Sequence, residues 1–223
     1  MRLIIFDCDG TIVDSQLMIV ATMKRAFETL GLEPPTREQT LSIIGRSLHE
    51  AMRDLTDDDH PIEEMVQAYR ASFVELRDDP RYEEPLYDGA KECLMALHAR
   101  DDVLLGIATG KSRRGVDAII ELHDLHNLFA TIQTADMAPS KPHPGMVYQA
   151  LEETGLDAAD AVIIGDTSFD MAMGKAAGIT SLGVEWGYHD TPTLLRAGAD
   201  KIFSTYADLQ TYLMADLSQK RAI

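Results

Sequence analysis

A chain of 223 residues is long enough for one ordinary domain, or for a core domain carrying a smaller second one. With 45% apolar and 26% charged residues it can bury a real core, and a formal charge of −17 argues against broad affinity for nucleic acid or an anionic membrane surface. The two cysteines, Cys8 and Cys93, provide neither a disulfide framework nor a zinc spacing, so a reducing cytoplasm is the expected compartment.

The first residues enter directly on a strand-like run, Leu3 to Phe6, without a charged leader or cleavage site. No apolar stretch approaches the ~20 residues needed to cross a bilayer, and a cytoplasmic globular protein is expected. Five further short apolar runs follow: Val103 to Ala108, Thr131 to Thr134, Ala161 to Ile164, Thr180 to Val184 and Lys201 to Phe203. Continuous rather than alternating hydrophobicity suits strands covered on both faces. Helical segments are expected between them, around 88–100, 112–122, 144–155, 168–177 and 191–197. This alternation predicts an α/β fold, a doubly wound, mostly parallel, Rossmann-like sheet.

One interval breaks the rhythm. Roughly 95 residues separate the first two strands, far more than a crossover needs. Helical spacing runs through Val20, Met23, Phe27 and Leu30, through Leu41, Ile44, Leu48, Met52 and Leu55, and through Ile62, Met65, Val66, Tyr69, Phe73 and Leu76. Thr36 with Gln39, and Ser47 with Glu50, are capping-box pairs that start two of these helices. The expected organisation is an all-helical cap domain, 15–83, inserted into an α/β core of 1–14 and 84–223. The acidic run Asp57-Asp58-Asp59 reads as a solvated cap loop, and the polar end, Ser218 to Ala222, as a frayed tail.

Chemistry concentrates where strands end. The first strand delivers Asp7-Cys8-Asp9-Gly10-Thr11 from its carboxyl end, the edge at which ligands bind in an open α/β sheet. Two carboxylates leaving a buried strand need a cation or a proton beside them, although an isolated pair also fits two surface aspartates in a turn. Ala161 to Ile164 runs into Gly165-Asp166-Thr167-Ser168-Phe169-Asp170, again a carboxylate at a strand end. Asp170 alone would suit a first-turn acid answering the helix dipole, with Ser168 as the cap. Three or four carboxylates converging on one sheet edge make a hard-cation site suited to Mg²⁺. Thr109-Gly110 ends another strand with a hydroxyl and an unobstructed backbone, and Lys141 lies in the loop Ser-Lys-Pro-His-Pro after the next. A hydroxyl, backbone amides and an ammonium form a cradle for a phosphoryl group, whereas singly Thr109 reads as a helix cap and Lys141 as an exposed loop lysine. Cys8 reads as a small buried filler. His123, His126, His143 and His189 show no metal spacing, and the methionines fall on helix faces as core residues.

The order DCDGT, TG, SKP, GDTSFD, with a helical insertion after the first motif, resembles the haloacid dehalogenase superfamily over essentially the whole chain. Within it the sequence looks most like the branch of phosphoglycolate phosphatase and β-phosphoglucomutase. The resemblance implies that Asp7 is the nucleophile and Asp9 the acid/base. It also implies that Thr109, Gly110 and Lys141 hold the phosphoryl oxygens, and that Asp7, Asp9, Asp166 and Asp170 form the Mg²⁺ set. It further implies a cis peptide at Lys141–Pro142. The true dehalogenases carry an aromatic residue at the Asp9 place, so an acid there favours phosphate esters. In similar capped phosphatases the turn Gly45-Arg46-Ser47 faces the active site. Arg46 is expected there either to grip a second anionic group of the substrate or to pair with one of the cap's acids. The expected activity is Mg²⁺-dependent hydrolysis of a small phosphorylated metabolite, a phosphate monoester, through an aspartyl-phosphate. A phosphomutase and a non-catalytic binding protein on the same fold are the alternatives.

Overall fold

A computed structural model describes residues 1–56 and 60–220. The first strand, β1 (Arg2–Phe6), is followed by five helices, α1 (Gln16–Thr29), α2 (Arg37–Ser42), α3 (Leu48–Leu55), α4 (Ile62–Leu76) and α5 (Ala90–His98). Strand and helix then alternate: β2 (Val103–Thr109), α6 (Arg113–His123), β3 (Phe129–Thr134), α7 (Gly145–Thr154), β4 (Ala161–Gly165), α8 (Ser168–Ala177), β5 (Thr180–Val184), α9 (Thr191–Arg196), β6 (Lys201–Phe203) and α10 (Tyr206–Lys220). The six strands form one parallel sheet in the order β3-β2-β1-β4-β5-β6. The chain winds outward from β1 to one edge and then returns to wind outward to the other. The switch point therefore falls at β1, between β2 and β4.

Alternation along β1 divides the core into two layers. Ile4 and Phe6 pack with Leu94 and Leu97 of α5 and Leu209, Leu213 and Leu217 of α10. Leu3 and Ile5 pack on the opposite face with Met146 and Val147 of α7 and Met173 and Ala177 of α8. All four β1 side chains are completely buried, each worth roughly 1.5–3 kcal/mol of hydrophobic stabilisation.

The helices α1 to α4 close around a core of their own, built from Met23 and Phe27 of α1, Met52 of α3, and Met65 and Val66 of α4. Thr36 forms a true capping box, its hydroxyl accepting from the Gln39 N–H while the Gln39 side chain accepts from the Thr36 N–H. Ser47 caps α3, but Glu50 does not reciprocate, because its carboxylate is drawn to Arg46 and Arg53.

Three further expectations are corrected. The polar C-terminal stretch is not frayed from Ser218: α10 continues to Lys220, its Tyr206, Leu209, Leu213 and Leu217 forming a helical stripe against the sheet. The N-cap of α8 is Thr167 rather than Ser168, since the Thr167 hydroxyl is the one that receives the Asp170 N–H. Strand β3 begins two residues earlier than its apolar run, at Phe129, paired with Leu105. The Asp57–Asp59 run and the last residues, Arg221 to Ile223, lie outside the described residues. No described helix is long and apolar enough to cross a membrane.

Because Leu209 is fully buried on the sheet, Leu209→Ala should lower unfolding free energy by ~2–5 kcal/mol. Leu195→Ala, at a position more than half exposed, should change it by less than ~0.5 kcal/mol. Urea denaturation followed by circular dichroism measures both, and equal effects would place α10 outside the cooperative core.

Candidate active site

The carboxyl ends of β1 and β4 bring Asp7, Asp166 and Asp170 together, with one oxygen of each within 4.8 Å of the others. Register places them there: Phe6 pairs with Ile164, so Asp7 follows the last pair directly and Asp166 stands one residue farther along the adjacent strand, and the first turn of α8 returns Asp170 to the same point. All three are completely buried. The only ammonium in direct contact among the described residues is Lys141, whose Nζ lies 2.9 Å from Asp7 Oδ1 and 2.6 Å from Asp170 Oδ1. The Lys141–Pro142 peptide in that loop is cis.

Each carboxylate is oriented by the backbone around it. Asp7 Oδ1 also accepts from the Cys8 N–H at 2.6 Å, whereas Oδ2 is buried without a partner. Asp166 accepts from the Thr11 hydroxyl at 2.8 Å and from the Tyr188 N–H at 2.9 Å. Asp170 Oδ2 accepts from the Thr167 hydroxyl and N–H, completing the capping box. The carbonyl of Thr11 is held in turn by Trp186 Nε1 at 3.1 Å and the Tyr206 hydroxyl at 2.8 Å.

Three carboxylates around one ammonium leave an excess of buried negative charge. Burial, then the charge of Asp170, raises the Asp7 pKa from its ordinary 3.8 to about 7 against the pull of Lys141. Burial, then Asp170 and Asp7, raises Asp166 well above the usual carboxylate range. Burial alone would lower Lys141, but Asp170 and Asp7 outweigh it and hold the ammonium charged. An all-oxygen donor set, an orphaned buried Asp7 Oδ2 and a deficit of positive charge fit a hard divalent cation, which Asp7, Asp166 and Asp170 can hold.

Asp9 stands apart from this cluster. Its Oδ1 accepts from the Ser15 hydroxyl at 2.6 Å and from Lys111 Nζ at 2.8 Å. Thr109 is buried at the end of β2 and its hydroxyl accepts from the Lys111 N–H. Gly110 meets the helical insertion: a Cβ there would run into the Arg46 and Gly45 carbonyls, the latter at 2.6 Å. The Ser47 N–H reaches Ser140 Oγ at 2.8 Å, so the turn between α2 and α3 is seated on the loop that carries Lys141. A cleft of about 430 Å³ opens at this seam, lined by Arg46, Glu50, Ser140, Lys141, Pro142 and His143. The Arg46 guanidinium lies over Phe169, 3.0 Å from Glu50 and 2.8 Å from Asp54, so its charge is taken up by two acids of the helix that follows it. The histidines stay out of the carboxylate cluster: His189 Nδ1 accepts from the Ser168 N–H, and His123 bonds the Glu84 carbonyl.

Lys111 is the functional-looking residue that the sequence pattern did not single out. It is almost fully buried and also pairs with Glu84 at 3.3 Å. Its only signal was its place directly after the Thr109-Gly110 strand end.

The chain is similar to known proteins over most of its length. The family described as haloacid dehalogenase-like hydrolase matches residues 4–184. The chain is 33% identical over 211 residues to the "Probable phosphatase IndB" of Dickeya dadantii, covering 93% of this chain and 91% of that one. It is 32% identical over 218 residues to the pyrophosphatase PpaX of Bacillus pumilus, covering 96% of each. Among solved structures, a haloacid dehalogenase-like hydrolase from Streptococcus pneumoniae superposes with a TM-score of 0.83 at 28% identity, covering 96% of this chain and 98% of that one.

The raised pKa of Asp7 has a signed consequence. A carboxyl whose folded pKa exceeds its unfolded value contributes stability that is complete below pH 3.8 and is lost as pH rises through about 7. The cation-free protein should therefore lose stability across this window, and Mg²⁺, which favours the ionised form, should restore it. Thermal melting should show a larger Mg²⁺-induced rise in Tm at about pH 7.5 than at about pH 5, on either side of that titration. Equal rises, or none, would contradict the assignment.

Proposed function

The chain belongs to the haloacid dehalogenase-like hydrolases, and on that basis we propose that it is a Mg²⁺-dependent phosphatase that hydrolyses a small phosphorylated metabolite through an aspartyl-phosphate on Asp7. The observation that carries the reading is the buried Asp7 carboxylate, set between Lys141 and two further acids and left with one oxygen unsatisfied. A binding module gains nothing from such an arrangement, which burdens the fold with uncompensated charge.

The Asp7 carboxylate attacks phosphorus, and the bond to the leaving oxygen breaks as Asp9 gives that oxygen a proton. Asp9 then takes a proton from the water that attacks the aspartyl-phosphate, releasing inorganic phosphate and regenerating Asp7. Lys141 sits where it offsets repulsion between the anionic nucleophile and the anionic substrate, and Thr109 offers a hydroxyl to a phosphoryl oxygen. Mg²⁺, held by Asp7, Asp166 and Asp170, would supply further charge neutralisation at the phosphoryl group. The seam cleft of about 430 Å³ suits a small substrate. Relatives at 31–33% identity include a probable phosphatase and pyrophosphatases, which favours transfer to water over transfer to a sugar.

The test is phosphate release from a panel of sugar phosphates, phosphoglycolate, pyrophosphate and aryl phosphates with Mg²⁺, ranked by kcat/KM. Activity should vanish on exhaustive chelation and return with Mg²⁺. Asp7→Asn should reduce turnover below detection while leaving the melting profile folded. Asp9→Asn should lower kcat/KM for alkyl phosphates by ~10²–10⁴-fold and for an aryl phosphate, whose leaving group departs unprotonated, far less, since kcat/KM reports the first phosphoryl transfer alone. Turnover by the Asp7 variant would sink the nucleophile assignment.

A further inference from the structure

Lys111 is built into its position from several sides. Its backbone N–H is tied to Thr109 Oγ1 and its carbonyl accepts from the Ala135 N–H. Its stem crosses the first turn of α6 so closely that a Cβ on Gly115 would stand 2.8 Å from the lysine Cγ and 3.2 Å from Cδ and Cε. Its ammonium ends between Asp9 Oδ1 at 2.8 Å, Glu84 Oε1 at 3.3 Å and the ring of Phe73, 6.0 Å away on α4. The three contacts belong to the loop after β1, the segment re-entering the sheet domain, and the helical insertion.

The consequence falls on Asp9. Oδ1 is bonded by both Lys111 and Ser15, while no hydrogen bond to Oδ2 is found among the described residues. A carboxylate anchored through one oxygen by two donors has its rotation fixed and presents the other oxygen for proton transfer.

We propose that Lys111 is a positioning residue for the proton-transferring Asp9, fixing that carboxylate through Oδ1 and leaving Oδ2 for the leaving group. The inference rests on the reading of Asp9 given above. It differs from the role of a plain counter-ion, which would support the fold and act on all substrates alike.

The experiment compares wild type, Asp9→Asn, Lys111→Met and the double variant on one alkyl and one aryl phosphate. Lys111→Met should lower kcat/KM on the alkyl phosphate by ~10–100-fold, the scale of a lost charged hydrogen bond, and change kcat/KM on the aryl phosphate by less than ~3-fold, because kcat/KM reports the first phosphoryl transfer and not the shared hydrolysis step. Its KM for the alkyl phosphate should stay near wild type. The double variant should be no slower than Asp9→Asn alone, because both changes remove the same proton transfer. If Lys111→Met fails to fold, Lys111→Met with Glu84→Gln removes a stranded carboxylate and takes the same test. Equal losses on both substrates, or losses that add to those of Asp9→Asn, would return Lys111 to a structural role. Equal losses in Asp9→Asn itself would instead overturn the reading of Asp9 as the acid.

Discussion

The site depends on one ion cluster, the ammonium of Lys141 held between Asp7 and Asp170 with Asp166 beside them and almost no water-exposed surface on any of the four. Charges buried this deeply destabilise a fold unless their geometry is over-determined. The surroundings meet that demand with backbone amides from Cys8, Thr167 and Tyr188 and hydroxyls from Thr11 and Thr167. The residual negative charge is what fits the cluster to a cation.

The rest of the sheet domain reads as support for that cluster. Parallel pairing of β1 with β4 sets Asp7 and Asp166 within one residue of each other at the same sheet edge, where the switch in winding direction at β1 falls. Helix α10 contributes more than burial, since its first residue, Tyr206, and the nearby Trp186 grip the Thr11 carbonyl while the Thr11 hydroxyl orients Asp166. Trp186 and Tyr206 also contact each other, with ring centroids 4.6 Å apart. Two hydrogen bonds thus tie the loop after β1 to the segments that follow β5 and β6.

Two lysines divide the electrostatic work. Lys141 pairs with Asp7 and Asp170, and Lys111 pairs with Asp9 and Glu84. The helical insertion contacts both neighbourhoods, with Ser47 on the Lys141 loop and Phe73 over Lys111. Its placement thus bears on both halves of the proposed chemistry. Arg46 follows another logic: Glu50 and Asp54 lie one and two turns along α3, and such local pairing was open to it from the start.

The parallel sheet, the helical insertion and the acids at the ends of β1 and β4 were all legible in the amino-acid order. Those features are local: buried strands are continuous apolar runs, insertions are gaps in the alternation, and strand-end acids stand beside the runs they terminate. The stripe Tyr206, Leu209, Leu213 and Leu217 stands at helical spacing but went unread, because the polar residues around it obscured it. Three-dimensional packing was needed to turn Asp9 to Ser15 and Lys111, to make Thr167 the cap of α8, and to clamp Thr11 between Trp186 and Tyr206. Lys111 stands 102 residues from Asp9 and Tyr206 stands 195 from Thr11. A pairing across such separations leaves no periodic trace, because it depends on where the folded strands and helices aim each side chain.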